Sequence, residues 1–175
     1  GASIGLALDG YKPIIEMQFA DFVSCGFNQI TNNIAKTHYR WNESLNITIR
    51  MPYGGGMSAG PFHSQSPESW FFHTPGLKIV APSTPYDAKG LLKSCIDDPN
   101  PVLYFEHKYM YRSIKGLVPE DDFNIEIGKA DIKRSGSDLS VITYGMGVHW
   151  ILETASRLEK EGISIEVVDL RSLLP

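Results

Sequence analysis

A histidine in a glycine-rich loop is the residue of this sequence best placed to do chemistry. His63 lies in the segment MPYGGGMSAGPFHSQS, residues 51–66, directly after a predicted strand. The glycines at 54, 55, 56 and 60 have no Cβ atom and accept positive φ, so the backbone can approach a ligand closely. An imidazole ionises near neutral pH and can move protons. His63 is therefore a catalytic candidate, and a structural or solvated histidine is the alternative.

Other chemistries for this loop are less well supported. No Gly-Lys-Ser/Thr sequence closes it, so it is not a phosphate-binding P-loop. His73 lies ten residues after His63, but no third ligand follows at the spacing of a zinc site. His107 follows Glu106 at the end of a predicted strand and is a weaker candidate for lining the site.

An aromatic residue and a carboxylate near the first strand are also candidates. Phe19 and Phe22 lie where this strand turns into a predicted helix. Phenylalanines at such positions usually pack in the core, but one at this edge could stack on a flat heterocycle. Glu16 is surrounded in the sequence mostly by apolar residues, so its carboxylate needs a partner or has a raised pKa.

Strands that alternate with helix-length segments position these residues. This order predicts an α/β fold with a mostly parallel sheet and flanking helices. Because ligands in such sheets bind beyond the carboxyl ends of the strands, the site should form from loops 19–22, 51–65 and 107–113. The predicted strands are 13–18, 45–50, 77–81, 102–106, 138–143 and 163–169.

Three helix boundaries and one long helix are predicted from local signals. Gly10 should end the first helix, and Ser66 and Thr84, each followed by proline, should cap the next ones with their hydroxyl groups. The apolar residues of 20–39 recur with helical spacing, which predicts one continuous helix. Its expected apolar face comprises Phe22, Phe27, Ile30 and Ile34.

The texture of the chain changes after the irregular stretch 107–124. A new strand–helix–strand unit follows, so we predict a first domain at 1–125 and the opening βαβ unit of a second domain at 126–175. The chain begins within a helix and stops after a fresh strand. We therefore expect it to be an ordered piece of a longer subunit.

The composition excludes several classes of protein. The 175 residues are 42% hydrophobic and 21% charged, which is typical of a globular protein and not of a disordered one. A net charge of −4 without a Lys/Arg cluster argues against nucleic acid or a membrane surface as the main partner. Only two cysteines are present, which fits free thiols in a reducing cytoplasm.

With these segments placed, the whole chain resembles the β subunit of the E1 component of 2-oxo acid dehydrogenase complexes. The subfamily markers are most like those of the branched-chain, 2-oxoisovalerate members. The family segments are 10–16, 62–65, 75–80, 87–93, 97–101, 105–106 and 111–112, and the subfamily segments are 50–56, 64–68 and 93–96.

This resemblance implies a transketolase-like fold and a thiamine-dependent oxidoreductase. Residues 1–125 would be the pyrimidine-binding domain without its beginning, and 126–175 the start of the C-terminal domain. Thiamine diphosphate would lie between an α and a β subunit of an α2β2 assembly. The enzyme would decarboxylate a 2-oxo acid and transfer the acyl group to the lipoyl group of the E2 acyltransferase.

The α subunit, or a fused α domain, would hold the diphosphate and Mg²⁺ of the cofactor. In this chain Asp9-Gly10 and Asn32-Asn33 resemble the motif for that role, but Leu8 replaces its first glycine. Asn32-Asn33 also falls inside a predicted helix, so we do not interpret the pair as the motif.

The resemblance also implies roles for single residues. His63 would face the thiazolium and the substrate, Phe22 would stack on the aminopyrimidine, and Gln18 would border that ring. Glu16 has a family counterpart without a specified role, and the glutamate that bonds the pyrimidine would precede Gly1. Backbone oxygens would hold a structural potassium ion at Ile47, Cys95, Asp98 and Asn100.

Three alternatives stay open at this point. The first is the β subunit of a pyruvate or acetoin dehydrogenase. The second is another transketolase-superfamily enzyme, such as a sugar-phosphate transferase, which should carry its own diphosphate motif in one chain. The third is a non-catalytic interaction domain, which would bind no thiamine diphosphate.

Overall fold

The first sheet combines the first four strands of the chain with its last one. In the computed structural model, which describes residues 1–174, the strand order is β1-β2-β4-β3-β8. The first four strands are parallel, and β8 pairs antiparallel with β3. The predicted mostly parallel sheet is therefore confirmed. The strands are β1 (Ile14–Glu16), β2 (Thr48–Tyr53), β3 (Lys78–Val80), β4 (Val102–His107) and β8 (Ser172–Leu174).

The two central strands align the loops that were expected to form the site. β2 and β4 pair in register along their whole length, from Thr48 opposite Val102 to Tyr53 opposite His107. β1 joins the other side of β2 in parallel. The loops after β1, β2 and β4 therefore leave the sheet at one edge.

The central strands are buried, which explains why their sequences are mostly apolar. The side chains of Ile49, Met51, Leu103 and Phe105 are almost completely buried, because the sheet is covered on both faces. Residues 1–174 contain no helix that is both long and apolar enough to cross a membrane.

The helix-boundary predictions succeed in two cases and fail in one. Gly10 has φ of +89° after the first helix, and the Thr84 hydroxyl accepts the backbone N–H of Asp87 at 3.1 Å. Ser66 makes no such bond and precedes a short 3-10 helix, Pro67–Phe71. The α-helices are α1 (Ala2–Leu8), α2 (Thr37–Trp41), α3 (Pro85–Asp97), α4 (Met110–Ser113) and α5 (Met146–Leu158).

The predicted continuous helix over 20–39 is wrong. The segment winds as a 3-10 helix, a π-helix, a second 3-10 helix and then α2. Thr31 and Thr37 each donate a hydroxyl hydrogen bond to the carbonyl four residues earlier, a contact that bends helices. Ile30 and Ile34 are buried as expected, but the changed winding leaves Phe22 43% exposed.

The second sheet follows in the chain and has the order β5-β7-β6. β6 and β7 are parallel and are connected by α5, which confirms the predicted βαβ unit. β5 is antiparallel to β7. β5 and β8 were not predicted. The strands are β5 (Asp131–Arg134), β6 (Leu139–Thr143) and β7 (Ile165–Asp169).

Buried charges join the two sheets. Lys133 of the second sheet lies 2.7 Å from the carboxylate of Asp87 in α3, and Arg171 lies 2.6 Å from its other oxygen. Asp169, at the end of β7, accepts a hydrogen bond from the Ser83 hydroxyl. Both carboxylates are completely buried. We call Asp87, Lys133, Asp169 and Arg171 the junction cluster.

Candidate functional site

Two of the predicted site residues meet at the edge where the parallel strands end. The ring of Phe22, from the loop after β1, lies 5.5 Å from the imidazole of His63, from the loop after β2. Phe19 contacts the same imidazole at 5.4 Å, and both contacts are edge-to-face. The two loops therefore place an imidazole in contact with two phenylalanine rings.

A hydrogen bond to a backbone carbonyl sets the tautomer of the neutral His63 ring. The residue ends the 3-10 helix Pro61–His63, and its Nδ1 lies 3.1 Å from the carbonyl oxygen of Ala59. A carbonyl oxygen can only accept, so Nδ1 carries the proton in the neutral ring. Nε2 is then the atom that can accept a proton from a reacting group.

The exposure of Phe22 suits it to a ligand. An aromatic ring that is 43% exposed beside a half-buried imidazole offers a flat apolar surface to a planar group. Gln18 is also exposed, just after β1 and four residues before Phe22.

Two glycines of the loop after β2 make room for the chain's own rings. A Cβ atom on Gly54 would lie 2.3 Å from Nε2 of His107, and one on Gly56 would lie 3.0 Å from the ring of Tyr109. Both glycines have φ near +90°. At these two positions the absence of a Cβ atom therefore lets the loop after β4 pack closely against the loop after β2.

A buried ion pair beside His63 was not predicted. The Lys108 ammonium donates to the carbonyl of His63 at 2.6 Å and lies 3.7 Å from the carboxylate of Asp21. It also lies 4.2 Å from the ring centre of Phe19. The other oxygen of Asp21 accepts the backbone N–H of Gln65 at 2.9 Å. Asp21 and Lys108 are called the site pair below.

Burial dominates the electrostatics of the site pair. The Lys108 side chain is 5% exposed and that of Asp21 is 1% exposed. Burial lowers the pKa of Lys108, and the nearby carboxylate of Asp21 opposes that shift. Isolated charged residues in loops usually face solvent, so only the strand order could have revealed this pair.

Glu16 has the partner that its environment required. Arg50 of β2 donates to Glu16 at 2.8 Å and forms two hydrogen bonds, at 2.9 and 3.0 Å, with Glu106 of β4. Burial raises the pKa of Glu106, although the bonds from Arg50 oppose the shift. The contacts of Glu16 are thus with this three-strand ladder and not with Phe22 or His63.

The four positions matched to potassium lie around the C-terminal end of α3. The Asn46 side chain donates to the carbonyl of Ile96 at 3.0 Å, which holds the segment containing Ile47 against that end. Residue 99 is a proline, so the Cys95 carbonyl lacks the N–H donor that a continuing helix would supply.

A cation in this region would be bound by backbone oxygens, because the nearby carboxylate is already hydrogen-bonded within the chain. The carboxylate of Asp98 is bonded to Lys78 at 2.5 Å and to the N–H of Asn100 at 2.9 Å. Among residues 1–174, no group of three His, Cys, Asp or Glu side chains is arranged to hold a metal ion.

Comparison with known proteins gives two family matches. Residues 1–113 match the transketolase pyrimidine-binding domain, and residues 128–175 match the transketolase C-terminal domain. A solved structure described as "Split gene transketolase, inactive beta4 tetramer" superimposes with a TM-score of 0.80 at 26% identity. The match covers 99% of this chain and 53% of that one.

Curated bacterial proteins are similar over the whole chain. The 2-oxoisovalerate dehydrogenase subunit beta of Bacillus subtilis is 58% identical over 177 residues. The pyruvate dehydrogenase E1 component subunit beta of the same organism is 48% identical, and that of Staphylococcus aureus is 45% identical. Each match covers 100% of this chain and 54% of the relative, so the chain spans about half the length of these proteins.

Proposed function

The chain belongs to the transketolase pyrimidine-binding domain family, and from this premise we propose that it is the β part of a 2-oxo acid dehydrogenase E1 component. The observation that carries the proposal is the imidazole of His63 beside the exposed ring of Phe22 at the carboxyl edge of the sheet. Identity of 58% to the 2-oxoisovalerate relative against 48% to the pyruvate one favours a branched-chain substrate.

The residues present fit one half of thiamine diphosphate. Phe22 offers an exposed aromatic face for the aminopyrimidine ring, and Gln18 would border that ring. The cofactor, when bound, supplies the electron sink that permits loss of CO₂ from a 2-oxo acid. We assign its diphosphate and Mg²⁺ to the α subunit or a fused α domain.

His63 would act on protons during acyl transfer to the lipoyl group of E2. Its Nδ1 is anchored on Ala59, so the ring keeps its orientation while Nε2 accepts and returns a proton at the reacting groups. Phe19 and Phe22 both contact the ring edge-to-face, which further restricts its orientation.

The wider assembly follows from the same proposal. The partners would be an α subunit or fused α domain, a second β subunit, and the lipoylated E2. The proposal also includes a domain boundary near residue 125. It further includes a structural potassium ion held at Ile47, Cys95, Asp98 and Asn100. Cys25 and Cys95 are free thiols, which supports a cytoplasmic location.

The test uses the full-length parent protein, with its α partner if that is a separate chain. CO₂ release from 2-oxoisovalerate and from pyruvate is measured with an artificial electron acceptor, with and without thiamine diphosphate and Mg²⁺. We expect thiamine-dependent turnover that prefers 2-oxoisovalerate. A preference for pyruvate would overturn the branched-chain assignment, and no turnover in a sample that binds the cofactor would overturn the E1 function.

A further inference from the structure

The site pair connects all three loops of the candidate site. Asp21 follows β1, Lys108 follows β4, and together they bind the backbone of the loop after β2 on both sides of Ser64. We propose that Asp21 and Lys108 are positioning residues that hold His63 in the orientation needed for acyl transfer. This inference rests on the proposed function of His63 and adds the residues through which the fold controls it.

The loop that carries His63 has few other attachments to the sheet. The N–H of Gly54 donates to the carbonyl of Gln65 at 2.9 Å, which fixes the far end of the loop. Residues 57–60 are exposed between these two points. The hydrogen bonds that Lys108 donates to His63 and that Asp21 accepts from Gln65 therefore hold the segment that carries the imidazole.

Lys108 is itself held rigidly. Its backbone N–H donates to the carbonyl of Tyr53 at 2.9 Å, which continues the ladder between β2 and β4. Its ammonium reaches His63 directly at the backbone carbonyl. It also reaches His63 through Phe19, whose ring lies against both the ammonium and the imidazole. A positioning group works best when its own support is rigid, and this one directly follows the central strand β4.

The energetics of the site pair favour a role in positioning the loop over a role in stabilising the fold. Burying two charges costs free energy that their attraction recovers only when both are fully hydrogen-bonded. The Asp21 oxygen nearest Lys108 makes no hydrogen bond with any residue of 1–174. A pair that is this poorly satisfied is a weak device for stability, but it fixes the geometry of the two groups that it binds.

The variants separate charge from position in the full-length holoenzyme. Lys108→Met removes the ammonium and keeps the apolar stem on Phe19. Asp21→Asn removes the charge and keeps an oxygen for the N–H of Gln65. The double variant contains no unpaired buried charge, so we expect it to fold even where a single variant does not. Exposed Lys115→Met is the matched control.

The activity test asks whether Lys108 acts through His63. In the double variant we expect lipoyl acylation to fall about tenfold to a hundredfold, with thiamine diphosphate affinity unchanged. Introduced into a His63→Ala background, the same changes should cause no further loss. An equal loss in both backgrounds would overturn the positioning role, because the pair would then act independently of His63.

A second readout needs neither cofactor nor turnover. Hydrogen exchange of the apoprotein should rise about tenfold at residues 61–65 in the double variant and stay unchanged in β2 and β4. Unchanged exchange at 61–65, or a rise that extends through both strands, would overturn the proposal. If the wild-type enzyme lacks thiamine-dependent turnover, the E1 function fails, and exchange alone decides whether the pair holds the loop.

Discussion

The junction cluster and the site pair are both buried charges, but their ion pairs differ in number and in distance. In the junction cluster, Asp87 is contacted by Lys133, Arg171 and the Thr84 hydroxyl within 2.7 Å. In the site pair, a single ammonium lies 3.7 Å from a carboxylate oxygen that has no hydrogen bond within residues 1–174.

The difference follows from what each group of charges borders. The junction cluster lies between two sheets of the same chain, and the chain supplies every counter-charge itself. The site pair contacts the ring of Phe19 and the backbone next to His63, at the edge where ligands bind in α/β folds. Close pairing of each charge thus marks the contact between the two sheets, and the looser pairing of Asp21 with Lys108 marks the edge where the candidate site lies.

The largest effect is expected from breaking the junction cluster. Asp87→Ala removes the buried carboxylate that Lys133 and Arg171 share, which should lower the free energy of unfolding by about 3–5 kcal/mol. Asp131→Ala, which removes a partly exposed carboxylate that contacts the same two cations, should cost clearly less. Urea denaturation measures both, and equal losses would contradict the contrast.

The next effect concerns chemistry and not stability. His63→Ala should reduce lipoyl acylation by about a hundredfold, because the proton acceptor at Nε2 is lost. Thiamine diphosphate affinity should be unchanged. The exposed His73→Ala is the control and should acylate normally. Normal acylation by His63→Ala would remove His63 from the mechanism.

A smaller effect is expected for cofactor binding. Phe22→Ala should weaken thiamine diphosphate binding about tenfold, since it removes the stacking surface. Phe62 is the control, because it is 72% exposed. Within residues 1–174 its ring makes no aromatic contact with Phe22 or His63, so Phe62→Ala should bind the cofactor normally. Titration calorimetry of the intact subunit pair distinguishes the two, and unchanged affinity for Phe22→Ala would exclude stacking.

The smallest expected effect is on the pH dependence of stability and comes from His107, the residue before Lys108. Burial, and then the charge of Lys108, lower the pKa of His107 from its ordinary value of 6.5. As the pH falls below 6.5, this histidine takes up a proton more readily in the unfolded chain than in the folded one. The free energy of unfolding therefore decreases as the solution is acidified. His107→Gln should lose less stability than the wild type between pH 7 and about pH 5, whereas the exposed His38→Gln should behave like the wild type.

Local patterns predicted the framework that carries the site. The strand alternation, the Thr84 cap and the Gly10 helix end depend on neighbouring residues, and all three are found in the structure. The edge at which His63 and Phe22 meet was predicted as well, because parallel strands bring their carboxyl ends together.

Long-range contacts set what the sequence could not reveal. Asp21 and Lys108 lie far apart in the chain, and their pairing depends on the order β1-β2-β4. β5 and β8 are short and carry no alternating pattern, so only their partners β7 and β3 make them strands. The irregular winding of residues 20–39 includes two threonine hydroxyls bonded to the backbone, and such bonds leave no periodic signal in the sequence.

The return of β8 to the first sheet imposes an order on synthesis. During translation, β3 leaves the ribosome long before its neighbour β8, and the whole second sheet emerges between them. The outer edge of β3 therefore presents unpaired backbone groups to other nascent chains during this interval. Because β5, β6 and β7 all precede β8 in the chain, the whole second sheet has been synthesised before the first sheet can be completed.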